Sequence, residues 1–399
     1  MEEVLMRNKK IIIGFVIIMQ CCSSCLTQAV ETKKVTSLGE TARSYVLMEQ
    51  TSGKILLEKA KDTPYPPASI TKIMTLILIN DAISAGKIHW EDKVSVSEHA
   101  AHMGGSQVFM EPGEEQTVRD LVKCICIASA NDAAVAMGEY IAGSEEQFVN
   151  MMNERAKGLG MNHTTFINAC GLHAEGHVST AEDIALMSRE LMEKYPEMSK
   201  TLTTWMDSII HRTRRGELEF GLSNTNKMIK WYNGITGLKT GYTPEAKHCV
   251  SATASREGMQ LIAVIMGAQD GKIRFQEAAQ LLDYGFANYR VKIGPKLGTV
   301  VGQVNVKKGD KEFLEVTPAE TKALVVPKQN DKEELTYTVE YNKGLCAPIN
   351  KGQEVGTITY TLGDKEMGKE PVVAAYAIHK AKLSDMLPYM LKRYFSFSK

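Results

Sequence analysis

The sequence lacks a surplus of either charge, a long apolar run and any pairing pattern among its cysteines. Lys plus Arg number 47 and Asp plus Glu 47 in 399 residues, so no basic excess exists to hold a nucleic-acid backbone, and nucleic acid is set aside as a partner. The apolar run 11–19 is nine residues long, where a finished membrane span needs about 20. Three of the eight cysteines, Cys21, Cys22 and Cys25, crowd into the first 25 residues. The other five, Cys124, Cys126, Cys170, Cys249 and Cys346, are scattered singly and odd in number, which excludes a disulfide framework. Cys124 and Cys126 lie two apart in a predicted helix, point about 200° apart, and read as buried free thiols rather than a metal pair. The nine histidines form no HExxH, and nothing near His99 and His102 completes a zinc site, so no metal and no other cofactor is expected. No internal repeat or low-complexity tract is visible. What remains is globular composition, 44% hydrophobic and 24% charged, in a chain long enough for two or three domains.

The two ends carry separate signals. Arg7, Lys9 and Lys10 precede the apolar run, and small and polar residues lead to Thr27-Gln28-Ala29. This is the pattern of an export signal, with cleavage expected after Ala29; lipid attachment at Cys25 and a buried N-terminal helix are the alternatives. Loss of residues 1–29 removes three basic and two acidic groups and leaves 44 against 45, a net charge of −1. At the other end, Met386, Leu387, Met390, Leu391, Tyr394, Phe395 and Phe397 fall in one half of a helical wheel, and Lys392, Arg393, Ser396 and Lys399 in the other. Such a basic amphipathic helix fits a peripheral contact with an anionic membrane surface, or a last helix docked on the body.

Between the ends, 44–48 and 54–59 read as two strands around Gln50-Thr51-Ser52-Gly53. A long helix is predicted over 69–85 from Ile70, Ile73, Met74 and Ile77 at i, i+3, i+4 and i+7. Further helices are predicted over 117–127, 131–141, 147–159 and 181–194, the last with Thr180 and Asp183 as an N-cap pair. Strands return at 237–243, 248–255 and 259–267, the last two joined at Arg256-Glu257-Gly258, and a helix over 274–284 closes the unit. Strands at both sequence ends with helices between imply an α+β layered fold. Beyond Lys292 short, alternating, β-branched segments predict a small all-β domain without any chemical constellation of its own. The expected organisation is a signal peptide (1–29), a catalytic domain (30–290), a β-rich domain (293–379) and an amphipathic helix (380–399).

Three motifs matter together: Ser69-Ile70-Thr71-Lys72 opening the long helix, Ser129-Ala130-Asn131 at a break between helices, and Lys239-Thr240-Gly241 on a late strand. Each alone is weak; in this order and context the set is specific. A spacing of three puts Lys72 one turn above Ser69 on the same face. The free N–H groups of a helix start favour developing negative charge. Lys72 acts as a base only without its proton, which burial beside a second cation, here Lys239, favours. Gly241 permits close approach of an extended substrate to the strand edge.

The set resembles the penicillin-recognising serine acyltransferases, and within them the low-molecular-mass penicillin-binding proteins of peptidase family S11, D-alanyl-D-alanine carboxypeptidases of the DacA/DacF type. Supporting stretches are Gly104-Gly105-Ser106, 166–172 and 234–243, and the resemblance covers roughly 35–380. It implies a transpeptidase-like catalytic domain, an antiparallel sheet flanked by helices, followed by the β domain. It also implies that Ser69 attacks the carbonyl between two D-alanines of a peptidoglycan pentapeptide, that Lys72 takes its proton, and that Ser129 relays a proton to the departing D-alanine. Asn131 would position the peptide, and the N–H groups of Ser69 and Tyr242 would form the oxyanion hole. Lys239 and Thr240 would bind near the terminal carboxylate, with β-lactams as inhibitors. Arg274 matches an arginine that holds this carboxylate; a surface ion pair is its alternative. Tyr242 stands where some relatives have His, which leaves the deacylation route open. A class A β-lactamase, which shares the motifs, and a non-catalytic wall-binding or β-lactam-sensing module are the competing functions. Glu146 and Asn150 mimic the lactamase ExxxN pattern, but within a predicted regular helix only 15 residues after Asn131.

Overall fold

The computed structural model describes residues 38–213, 216–330 and 332–382, within a compact unit that begins at Gly39. The expected leader and the amphipathic segment 384–399 lie outside the described residues. The α+β class and the β-rich C-terminal part are as expected. Five antiparallel strands build the main sheet: β1 (Ser44–Glu49), β2 (Ile55–Lys59), β3 (Ile235–Thr243), β4 (Lys247–Arg256) and β5 (Met259–Ala268), in the order β2-β1-β5-β4-β3. The interior strands β4 and β5 are buried on both faces over most of their length; β5 is apolar nearly throughout, and β4 alternates Val and Ala with the small polar residues Ser and Thr. The expected hairpin turn joins them, with Glu257 and Gly258 at φ +50° and +77°. β3 is an edge strand, so one row of its backbone groups is left open along Lys239-Thr240-Gly241.

The longer helices are α1 (Lys72–Ser84), α2 (Asn131–Ala142), α3 (Glu145–Gly158), α4 (Ala181–Lys194) and α5 (Ile273–Asn288). Ser188 of α4 meets Ser251 of β4 at 2.8 Å on one face of the sheet. Gly285 of α5 packs against Leu47 and Leu261 on the other, where a Cβ would not fit. α1 is apolar nearly all round and is buried from Lys72 to Asn80, as a helix at the centre of a core must be. The expected cap of α4 is present, with Thr180 Oγ1 accepting from the Asp183 amide at 3.1 Å.

Three local departures from expectation have physical causes. The long helix opens with a 3-10 turn, Ala68–Thr71, before α1. The segment predicted as one helix over 117–127 is α-helical only over Val118–Lys123, and then widens into a π-turn, Cys124–Ala128, that delivers Ser129 in a left-handed conformation. A hairpin, Met206–Thr213 with Gly216–Ser223, was not expected. Its strands lie mostly in solvent, so they carry little of the apolar alternation that marks a strand.

β6 (Tyr289–Ile293) follows α5 directly and pairs with β9 (Ala323–Pro327). The remaining strands, β7 (Gly302–Asn305), β8 (Phe313–Pro318), β10 (Leu335–Tyr341), β11 (Glu354–Leu362) and β12 (Lys365–Ala374), form a sheet ordered β7-β8-β12-β11-β10. Its core gathers Leu314, Val316, Val355, Ile358, Tyr360 and Val372, and the Tyr360 hydroxyl donates to buried Glu370. Cys124, Cys126, Cys170 and Cys249 are buried free thiols, whereas Cys346 is exposed.

Gly171 locks the Ser69 turn from behind. Its φ is +84°, and a Cβ there would overlap the Ala68 carbonyl and stand 2.9 Å from Ser69 N. Gly171→Ala is expected to destabilise the protein by about 2 kcal/mol or more, from left-handed strain plus overlap with backbone that cannot swing away. Thermal unfolding checks this; an unchanged midpoint would show the turn to be more pliable than the packing implies.

Candidate active site

The 3-10 turn changes the relation between Ser69 and Lys72. At three residues per turn, side chains at i and i+3 eclipse, so Lys72 stands directly over Ser69, with Nζ 2.9 Å from Oγ. The turn is held in an unusual shape: Ala68 sits at φ +49°, and Pro67 precedes it. β3 presses against it through Gly241, where a Cβ would lie 2.9 Å from Pro67 O and 3.2 Å from Ser69 N. The absence of a side chain at Gly241 therefore serves the packing of strand on turn, a reason the sequence did not supply.

Lys72 is fully buried. Nζ donates to Asn131 Oδ1 at 2.5 Å and to the Cys170 carbonyl at 2.7 Å. Two acceptors that can only accept fix two N–H bonds, so the lone pair of the neutral amine points at the Ser69 hydroxyl. Burial pushes the Lys72 pKa down to about 8, against a smaller upward pull that includes the Asp132 carboxylate. Burial is the larger cause that favours its neutral form. Lys72 and Lys239 repel each other when both are charged, and the Lys239 pKa is driven well down by burial first and then by the charges of Lys72 and Arg274.

Lys239 is also buried, and Nζ donates to Ser129 Oγ at 2.7 Å and to the Thr240 carbonyl at 3.0 Å. Ser129, at φ +62°, projects from the end of the π-turn, which closes with the Ala130 amide on the Cys124 carbonyl at 3.1 Å. Asn131 starts α2, and its Nδ2 donates to the Gly104 carbonyl at 2.6 Å. Ser69, Lys72, Ser129, Asn131 and Lys239 are thus joined in two hydrogen-bonded groups. Thr240 Oγ1 donates to Thr225 Oγ1 at 2.7 Å. Tyr242 is 56% exposed and stacks on His248 across the strand pair, ring centroids 4.5 Å apart. Arg274 Nη1 donates to the carbonyls of Gly241 (2.9 Å) and Cys249 (3.1 Å) and lies over the Phe275 ring. Its partners are carbonyls that tie β3 to β4, not the carboxylate of a surface ion pair.

Several supporting residues had no role in the sequence reading. Asn168 Oδ1 accepts from the Gly171 amide at 2.7 Å and its Nδ2 donates to the Leu172 carbonyl at 2.8 Å, shaping the loop that aims the Cys170 carbonyl at Lys72. Buried His177 accepts at Nδ1 from the Ile167 amide, so Nε2 donates to Thr71 Oγ1 at 2.9 Å. Burial holds its pKa down to about 4, and it stays neutral. Asp132, next to Asn131, accepts from the amides of Val108, Met110 and Ala133. The stretches Gly104-Gly105-Ser106 and 166–172 were the only sequence signals near these contacts. Glu146 and Asn150 are both exposed on α3. Among the described residues, no three His, Cys, Asp or Glu side chains group as metal ligands would.

Residues 30–270 match the family model described as D-alanyl-D-alanine carboxypeptidase. The chain belongs to this family. Residues 295–380 match the C-terminal domain of penicillin-binding protein 5. Among related carboxypeptidases, DacF of Bacillus subtilis (strain 168) is 44% identical over 88% of this chain and 89% of its own length. DacA of Escherichia coli (strain K12) is 32% identical, with 89% of each chain covered. The solved structure of penicillin-binding protein 5 from Haemophilus influenzae superposes with a TM-score of 0.79 at 29% identity, covering 86% of this chain and 98% of that one. With Lys72 as the base that activates Ser69, a pKa of about 8 would leave it protonated and without a lone pair below that pH and free above it. The acylation rate should rise with pH through a midpoint near 8 and then level off. Lys72→Arg, which cannot lose its proton, should slow acylation by about 10²–10⁴ without that rise. Stopped-flow acylation across pH checks both; a flat profile in the unaltered protein would remove Lys72 as the base.

Proposed function

We propose that the protein is a serine-type D-Ala-D-Ala carboxypeptidase that removes the terminal D-alanine from peptidoglycan pentapeptide stems through an acyl-enzyme on Ser69, and that penicillins trap it at that stage. The observation that carries this reading is the contact between Ser69 Oγ and the fully buried Nζ of Lys72, whose other hydrogen bonds are spoken for. Neutral Lys72 removes the Ser69 proton as Oγ bonds to the carbonyl carbon. The oxyanion forms where the Ser69 amide and the β3 backbone at Tyr242 adjoin, a role supported by the close packing of Gly241 on the Ser69 turn. Lys239 and Thr240 receive the terminal carboxylate. Ser129, hydrogen-bonded to Lys239, passes a proton to the departing amine. Asn131, held between Lys72 and the Gly104 carbonyl, positions the peptide. Arg274 supports the carboxylate subsite by fixing the Gly241 carbonyl.

A deacylating glutamate of the β-lactamase kind has no support at Glu146, which faces solvent. A non-catalytic wall-binding or β-lactam-sensing module would give no reason to bury two lysines. We infer further that the protein is exported and acts at the outer face of the cytoplasmic membrane. The basic, apolar and small-residue order of 1–29 supports export, and the two-faced segment 384–399 supports peripheral attachment. No helix among the described residues is long and apolar enough to cross a membrane.

Three measurements test this. A D-Ala-D-Ala peptide should release D-alanine far faster than benzylpenicillin is hydrolysed, and Ser69→Ala should abolish the covalent fluorescent-penicillin band while Ser129→Ala slows its appearance. Fast penicillin hydrolysis without D-alanine release would overturn the assignment. Deleting residues 384–399 should move the protein from the membrane fraction to the soluble one; unchanged partitioning would refute the anchor.

A further inference from the structure

The groups that bracket the reactive end of the peptide also fix its direction. With the terminal carboxylate at Lys239 and Thr240, and the attacked carbonyl at Ser69 beside Tyr242, the substrate runs along β3 from residue 239 toward 243. The residue before the acyl D-alanine must then pass Thr243 and leave over the turn into β4. Beneath this path Pro67, Ala68, Leu172, His173 and Thr243 pack around a small void too tight to admit water, so the peptide must pass over them at the surface. Gly105 stands close by, too near Asn131 and Leu172 to carry a Cβ without displacing them. On the β3–β4 turn that follows Thr243, the Glu245 carboxylate faces His173 Nδ1 at 3.9 Å, with both side chains about half exposed. Thr243 also anchors this turn, its Oγ1 accepting from the Ala246 amide at 3.0 Å. Backbone N–H and the Thr243 hydroxyl, helped by the charges of His173 and Lys247, hold the Glu245 carboxyl below its ordinary pKa, so it remains an anion on the exposed turn beyond Thr243.

We propose that Glu245 is a specificity-determining residue for the side chain that precedes the acyl D-alanine, favouring a free cationic amine, as on a diamino acid, over a neutral or acylated one. This rests on the carboxypeptidase reading, because that reading orients the peptide. Glu245 touches none of the reacting atoms and makes its contact at the rim. The preference is therefore modest, about two- to fivefold in kcat/KM at low ionic strength, as for other exposed ion pairs. It weakens as salt screens the pair.

The test compares Nα-acetyl-L-Lys-D-Ala-D-Ala with its Nα,Nε-diacetyl counterpart, which differ only in the free amine. The unaltered protein should favour the free amine by that factor, and 0.5 M NaCl should bring the ratio toward one. Glu245→Gln should bring it to about one at low salt, and Glu245→Lys should invert it, with the substrate ratio within each variant cancelling any loss of folded enzyme. No preference in the unaltered protein, or a preference that survives Glu245→Gln, overturns the proposal while leaving the carboxypeptidase reading intact. That reading fails separately if the unaltered protein releases no D-alanine from either peptide, and the proposal then fails with it.

Discussion

The buried amine of Lys72 is the constraint around which the rest is arranged. Taking a lysine out of water lowers its pKa from 10.5 to about 8, a difference of about 3 kcal/mol between its two protonation states. A protein tolerates such a group only where its hydrogen bonds are satisfied, and here one side-chain carbonyl and one main-chain carbonyl do this. The same two acceptors leave the lone pair a single direction. Stability is given up at this position, and the basicity that results matches the task.

Holding that geometry takes a tight turn and two close backbone approaches. The 3-10 turn stacks Lys72 on Ser69, Gly171 presses the turn from one side, and Gly241 presses it from the other. The left-handed Ala68 and Ser129 are strained residues kept in place by packing. Both flank the reacting groups. The turn is therefore held by backbone on two sides rather than by flexible side chains, which suits a nucleophile that must not drift from its base.

Much of this was legible beforehand, for definable reasons. Ser69, Lys72, Ser129, Asn131 and Lys239 come together as their motifs implied, because each motif sits at the end of an element and its local spacing decides its direction. The sheet strands β4 and β5 and the helix α4 were readable because burial imposes periodicity on them. The Cys170 carbonyl could not be read, since any residue type supplies a carbonyl and only the fold of the 168–172 loop aims it. The π-turn was hidden because Cys124–Ala128 is as apolar as the helix before it. The hairpin 206–223 left little signal because it is mostly solvated. The pairing of Lys72 with Lys239 was legible too, but not that both are fully buried, so that desolvation is the largest cause of each lowered pKa.

The open edge of β3 has a consequence beyond substrate alignment. An uncovered strand rim is a template on which another copy of the same chain could zip up, and soluble sheet proteins commonly resist this with a charge turned inward from the rim. Lys239 is not such a guard: drawn in toward Ser129 and already buried, it would lose no further solvation if a strand were added. The rim is therefore left as open to another extended chain as to any ligand.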